Sequence, residues 1–249
     1  MNVAGESLSK EESMDRVEEA LKAFRRGKPA LIYDFDDREG ETDIAIPAIN
    51  VGWKDVAMLR KDGGGLICVA IHPDAADKLG LPFMHDVLEV ASEKISSLKS
   101  ILHFDIKYDS RSSFSLWVNH RDTFTGITDV DRALTIRRVG EAVDTVMLGK
   151  DFDFGKEFRS PGHVALLRAA KNLTYDRVGQ TELSVALAQM AGIAPAVAIC
   201  EMLDDRTGKA LSKEDAMAYA EERGIPFVEG KDIVSCYAEF KEIKAKLFI

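Results

Sequence analysis

Between His163 and Leu247 short apolar runs alternate with stretches of helical periodicity, and few folds accommodate that alternation. His163 to Leu167, Ala196 to Cys200 and Ile225 to Val228 are too short for helices and read as buried strands. Thr181 to Ala191, Ser212 to Arg223 and Asp232 to Leu247 repeat apolar residues at helical spacing, with Ser212 placed as an N-cap. Strands and helices interleaved at this pace share one sheet, so the chain is of mixed α and β character.

The rest of the chain is less regular. Ser9 with Glu12 forms a capping box, and Val17, Ala20, Leu21 and Phe24 continue a helix that Gly27 ends. Ala30 to Phe35 reads as a strand, as do Leu66 to Ile71 after Gly63, Gly64 and Gly65, and the alternating Phe114, Leu116 and Val118. Asp129 to Val143 reads as a helix. The irregular middle argues against a doubly wound sheet, so the expected fold is α+β, a mixed β-sheet flanked by helices. No Pro/Gly/Ser-rich linker divides the 249 residues, which are therefore expected to form a single domain, 1–249, with 1–12 as a flexible N-terminal extension.

Forty-two acidic against thirty-three basic side chains give a net charge of -9, which disfavours nucleic acid and anionic lipid as partners. No apolar run approaches the ~20 residues that span a bilayer, and the first residues lack the basic and apolar stretches of an export signal. Cys68, Cys200 and Cys236 are scattered, odd in number and without a C-x-x-C pair, which fits a reducing, cytoplasmic setting.

Ionisable residues are densest from Asp34 to Asp43, in DFDDREGETD. If the chain is extended past Gly40, Glu39, Glu41 and Asp43 share one face. Three carboxylates so close demand a cation or protons. A hard ion such as Mg²⁺ takes one or two of them plus substrate oxygens, leaving others such as Glu41 for proton transfer. An EF-hand is excluded, since Arg38 and Glu39 would occupy positions that need a ligand and a glycine. The alternative for this segment is a solvated acidic loop.

The best anion site is Arg177, Val178, Gly179, Gln180 and Thr181, which lead into a helix whose N-terminal N–H groups would complement the arginine. Its competing reading is an ordinary cap. Glu201 ends an apolar strand, His163 follows the turn-forming Pro161 and Gly162, and Cys68 lies on a strand. Each has a bland structural alternative, and neither a zinc motif nor a nucleotide-binding glycine motif is present.

In order, YDFDDREGETD, GGGLICVAIHPD, FTGITDVDRALTI, FRSPGHVALLRA, RVGQTELSVALA and AICEM resemble the successive signatures of the 3,4-dihydroxy-2-butanone 4-phosphate synthase family, from about Val17 to Tyr237. The archaeal, single-function form is the nearest in likeness. The resemblance implies an alpha-beta sandwich that converts D-ribulose 5-phosphate to L-3,4-dihydroxy-2-butanone 4-phosphate and formate for riboflavin biosynthesis. The implied steps are enolisation, dehydration, skeletal rearrangement and formate release.

It also implies Mg²⁺ or Mn²⁺, two ions per site, and a homodimer with sites near the subunit interface. Position by position, it makes Glu39 and Gln180 metal ligands, Arg38 and Asp43 substrate contacts, and Arg177, Val178, Gly179, Gln180 and Thr181 the phosphate loop. His163 and Glu201 match positions essential for turnover, Glu201 also touching substrate. Cys68 lines the site, and Glu41 joins the acid/base groups.

The family pattern usually has histidine where this chain has Gln180. An amide oxygen suits Mg²⁺ but lacks an imidazole's basicity, so weaker or differently selective metal binding and slower turnover are expected. Two other functions compete with the lyase: a sugar-phosphate-binding protein whose chemistry was lost with that histidine, and a metal-dependent sugar-phosphate isomerase.

Overall fold

A strand that reads as an unbroken apolar run must be covered on both faces, and this chain builds its centre around such strands. The computed structural model describes residues 3–102, 106–109 and 111–247, with side chains from residue 11 onward. The chain opens with α1 (Val3–Arg25), followed by β1 (Ala30–Tyr33) and β2 (Thr42–Pro47) on either side of the acidic turn. Next come α2 (Trp53–Met58), β3 (Cys68–Ile71), α3 (Pro73–Lys78), α4 (Met84–Ser92), α5 (Ser96–Ile101) and β4 (Phe114–His120). α6 (Asp129–Met147), α7 (Phe154–Glu157), β5 (Phe158–Arg168), α8 (Gln180–Ala191) and β6 (Ala196–Glu201) follow. A small hairpin, β7 (Leu203–Asp204) and β8 (Lys209–Ala210), precedes α9 (Lys213–Arg223), β9 (Phe227–Glu229) and α10 (Gly230–Leu247).

Seven strands form one sheet in the order β4-β5-β3-β6-β2-β1-β9. β3 runs parallel to β5 and β1 to β9, while the other four pairings are antiparallel, so the sheet is mixed as expected. The period-two alternation of each inner strand divides its side chains between two cores. Ile44, Ile46, Val69, Ile71, Ala198 and Cys200 face one core, with Ile136 and Val139 of α6. Ala45, Cys68, Ala70, Val197 and Ile199 face the other, under Phe24 of α1, Leu183 and Leu187 of α8, and Ile233 of α10.

α8 is the element that differs most in character from the sequence reading. Its periodicity marks a one-sided helix, yet all but two of its residues are buried, because α1 and α10 close over the side turned away from the sheet. A helix apolar nearly all round belongs in an interior. Leu187, fully buried there, is expected to cost about 2–5 kcal/mol when cut back to alanine, read as a lower urea midpoint at unchanged slope.

Other boundaries moved for identifiable reasons. The first helix starts at Val3, upstream of Ser9 and Glu12, so that pair does not begin it; the Ser9 side chain lies outside the described residues. β5 begins at Phe158, which places Pro161 and Gly162 inside the strand, at a register shift against β4, rather than ahead of it. β2 went unassigned because its polar first residues, Thr42 and Asp43, hide a strand that is buried throughout. α4 and α5 bury no residue and so show no apolar stripe to read. The caps of α6 and α9 are plain: Thr128 and Ser212 accept from the backbone N–H groups of Asp131 and Asp215.

Candidate active site

Strand register brings the acids together. Asp43 of β2 lies opposite Glu201 of β6, and Cys68 of β3 lies opposite Ile199, two residues before Glu201. Asp43, Cys68, Ile199 and Glu201 therefore emerge at one end of the sheet, on the face that α8 covers. The N-terminus of α8 meets them there, and a cavity of about 170 Å³ is lined by Glu39, Asp43, Cys68, Arg177, Gln180, Thr181 and Glu201, with Tyr108 and Asp109 at its border. Residues from five separate stretches of sequence thus share one space.

Asp34 shapes the acidic turn. Its carboxylate, buried, accepts from the N–H groups of Glu39 and Glu41 at 3.1 and 2.9 Å and from Arg38 at 3.2 Å. This folds the chain at Glu39, so the expected continuous extension from Glu39 to Asp43 is not formed; only Asp43 is in a strand. The three carboxylates still feel one another. Burial, then Glu201, Glu39 and Glu41, pushes the Asp43 carboxyl well above its usual range. Burial, then Glu39 and Glu201, also raises Glu41, whose side chain stands outside the cavity lining.

Two arginines make the anion end. Arg38 binds Asp34, Glu39 and Asp109, at 3.2, 2.9 and 3.0 Å, and Arg177 binds Asp109 at 2.6 Å and the fully buried Glu182 at 2.5 Å. With Val178, Asp37 and Asp176 they line a second cavity of about 440 Å³ that shares Tyr108, Asp109 and Arg177 with the first. A side chain on Gly179 would strike the Arg177 guanidinium, its Cβ 2.2 Å from a terminal nitrogen, so glycine there lets the arginine fold back across the start of α8. Asp109 bridges the two guanidiniums, so any incoming anion must compete with it for both. The sequence reading gave no role to Asp109, whose partners lie in other segments of chain.

Glu201 is held for use. The N–H of Leu66 donates to its carboxylate at 2.7 Å, and Gly65 must be glycine because a Cβ there would lie 2.2 Å from the same oxygen. Cys68 lines the cavity, but burial and the nearby Glu201 and Asp43 push its thiol well above the normal range, so it offers no thiolate nucleophile. His163 is not brought to this cavity: it is exposed on β5, its Nδ1 3.1 Å from the Asn119 side-chain nitrogen and its N–H donating to Asn119 Oδ1 at 2.8 Å.

Gln180 is the first residue of α8 and is 6% exposed. Its Nε2 donates to the carbonyls of Ile32 and Glu41, at 3.0 and 3.1 Å, while its Oε1 is buried without a partner, as is Asp43 Oδ1. Among the described residues no three His, Cys, Asp or Glu side chains converge to cage a metal unaided. The donor set nevertheless fits a hard cation: carboxylates that repel one another, two orphaned oxygens, and room for substrate and water to supply further ligands.

Comparison with known proteins agrees. The sequence model of the 3,4-dihydroxy-2-butanone 4-phosphate synthase family matches residues 18–236. A synthase of that name from Archaeoglobus fulgidus is 75% identical over 233 residues, covering 93% of this chain and 98% of the relative. One from Methanothermobacter thermautotrophicus is 48% identical over 225 residues, covering 90% and 97%. A crystal structure of a 3,4-dihydroxy-2-butanone 4-phosphate synthase in complex with two magnesium ions superposes with a TM-score of 0.72 at 25% identity, over 90% of this chain and 97% of that one. The Candida albicans synthase gives 0.68 at 27% identity, over 88% and 95%. None of these matches favours a protein that only binds a sugar phosphate.

Proposed function

Since the chain belongs to the 3,4-dihydroxy-2-butanone 4-phosphate synthase family of riboflavin biosynthesis, we propose that it cleaves D-ribulose 5-phosphate to L-3,4-dihydroxy-2-butanone 4-phosphate and formate. The observation that carries this reading is the single cavity reached by Glu39, Gln180, Glu201 and Arg177 together. A pentulose phosphate has an anion at one end and vicinal hydroxyls along the other, and the cavity offers cations to the first and carboxylates to the second.

Arg38, Arg177 and the free N–H groups at the start of α8 hold the phosphate and fix the chain of the sugar along the strand ends. Glu39 and Gln180 would hold Mg²⁺ or Mn²⁺, two ions per site by analogy with the magnesium-bound synthase, and the metal would supply Lewis acidity toward the sugar oxygens. Glu201, aimed by the Leu66 N–H, takes and returns protons at the sugar carbons. Asp43, whose carboxyl is raised by burial and by Glu201, is placed to give a hydrogen bond and a proton where the hydroxyl departs as water. Glu41 shares in proton transfer at the rim, and formate leaves after the skeleton has shifted.

His163 enters from a second copy of the chain in this reading. It is exposed and outside its own cavity, and Phe124, Ile127 and Val130, 93%, 51% and 64% exposed, belong to the segment around Gly126, which packs against the Asn119 that holds it. Apolar groups so open fit a homodimer face better than a free surface. No disulfide pairs Cys68, Cys200 or Cys236, in keeping with the cytoplasmic setting proposed here.

Incubation with ribulose 5-phosphate and Mg²⁺ tests the activity: formate in step with substrate loss is expected, an isomeric pentose phosphate without formate would support an isomerase, and neither product would leave only binding. Mixing Glu201→Gln with His163→Asn under subunit exchange tests the dimer, with recovery of about one quarter of wild-type sites expected for a two-fold assembly.

A further inference from the structure

We infer that Gln180 serves as an oriented oxygen donor to the cation, so that this chain has a metal site of oxygen ligands that selects Mg²⁺ and Mn²⁺ over Zn²⁺; this deepens the metal-dependent reading above and rests on it.

The orientation follows from the hydrogen bonds. A side-chain amide can be turned either way, and its neighbours decide which end is oxygen. Here the outer groups are two backbone carbonyls, Ile32 and Glu41, both acceptors. Only the NH₂ end can face them, since the reverse would set three oxygens against one another. Both amide hydrogens are used, and Oε1 is fixed on the other side with no donor within reach, although the residue is buried. A buried, unpartnered carbonyl oxygen is costly unless something electropositive meets it.

What surrounds that oxygen decides its partner. Glu39, Asp43 and Glu201 line the same cavity, and both arginines of the lining are engaged, Arg177 with Asp109 and Glu182 and Arg111 with Asp86, so among the described residues the electropositive group the carboxylates lack is a small cation. An amide oxygen and carboxylates are hard donors, which suit Mg²⁺ and Mn²⁺; zinc prefers imidazole nitrogen and thiolate sulfur. Cys68 is the one soft donor among the described residues of the lining, and the deep burial of its sulfur among acidic groups favours the thiol.

Calorimetric titration of the metal-free protein with Mg²⁺, Mn²⁺ and Zn²⁺ separately, with Mn²⁺ binding confirmed by electron paramagnetic resonance, tests this without turnover. Gln180→His is expected to raise the Zn²⁺-to-Mg²⁺ affinity ratio at least about tenfold, a nitrogen donor replacing an oxygen. Gln180→Leu, which removes the oxygen, is expected to weaken Mg²⁺ and Mn²⁺ alike, and Cys68→Ser to leave the wild-type ratio unchanged. Melting curves identify any variant that fails to fold, and the wild type's own preference still decides the question in that case. A wild type that binds no divalent cation would overturn the metal-dependent reading and this inference together. Normal Mg²⁺ binding with an unchanged ratio in Gln180→His, or a wild-type preference for Zn²⁺ that disappears in Cys68→Ser, would overturn the inference alone.

Discussion

Glu201→Gln is expected to lower kcat for formate release by about 10²–10⁴-fold, the range for losing a positioned general acid/base. The substitution isolates proton transfer from structure. A glutamine oxygen can still accept from the Leu66 N–H, and the side chain keeps its size beside Gly65, where nothing larger than hydrogen fits. Melting temperature should therefore fall little and Mg²⁺ should still bind, weakened by the loss of one nearby carboxylate charge, while turnover collapses. A kcat close to that of the wild type would remove Glu201 from the chemistry and reduce it to a brace for the loop at Leu66.

The second large effect runs in opposite directions for stability and activity. Asp43 is 1% exposed and has an unpartnered oxygen, and burial followed by Glu201, Glu39 and Glu41 holds its carboxyl well above the usual value. A carboxyl raised in the folded state adds stability that is complete below the pKa of the unfolded chain and is lost as pH climbs through the raised folded value. Asparagine does not ionise and loses nothing over that window. In metal-free protein, Asp43→Asn should thus melt above wild type by a margin that widens with pH, on the order of 1–3 kcal/mol at its largest. For a chain this size that is about 2–4 °C per kcal/mol.

Mg²⁺ should narrow the margin by neutralising the ionised wild-type cluster. Activity should fall about 10–100-fold, the worth of a hydrogen bond to a charged or reacting group. Scanning calorimetry across pH, with and without Mg²⁺, checks the first part and formate assays the second. A margin that is flat with pH would mean that Asp43 does not carry the burden of burial.

Much of this was legible from residue order, for reasons that can be named. β6 announces itself because a strand covered on both faces is apolar throughout, and α9 because Ser212 is a plain cap. The acidic segment stood out since so many carboxylates rarely interrupt apolar sequence without a use. The candidate anion site stood out because its parts are contiguous, from Arg177 to Thr181.

What escaped was non-local. Asp109 lies 71 residues from Arg38 and 68 from Arg177, and nothing in its own neighbourhood marks it as the group that bridges them. Gln180 read as a substitution; only its two carbonyl partners, 148 and 139 residues away, reveal which end of the amide is presented. His163 illustrates the converse. Its place in the order of motifs gave no sign that its own fold would leave it exposed on β5, away from the cavity.

The central claim is that cation and sugar phosphate occupy one cavity and so bind cooperatively. Reciprocal titration measures this: Mn²⁺ affinity by electron paramagnetic resonance with and without a non-reacting pentitol 5-phosphate, and the affinity of that analogue with and without Mn²⁺. The account predicts that each tightens the other by the same factor, about 5–150-fold, with inorganic phosphate giving far less because it lacks the hydroxyls that join the two ends. Affinities that do not depend on one another would contradict it.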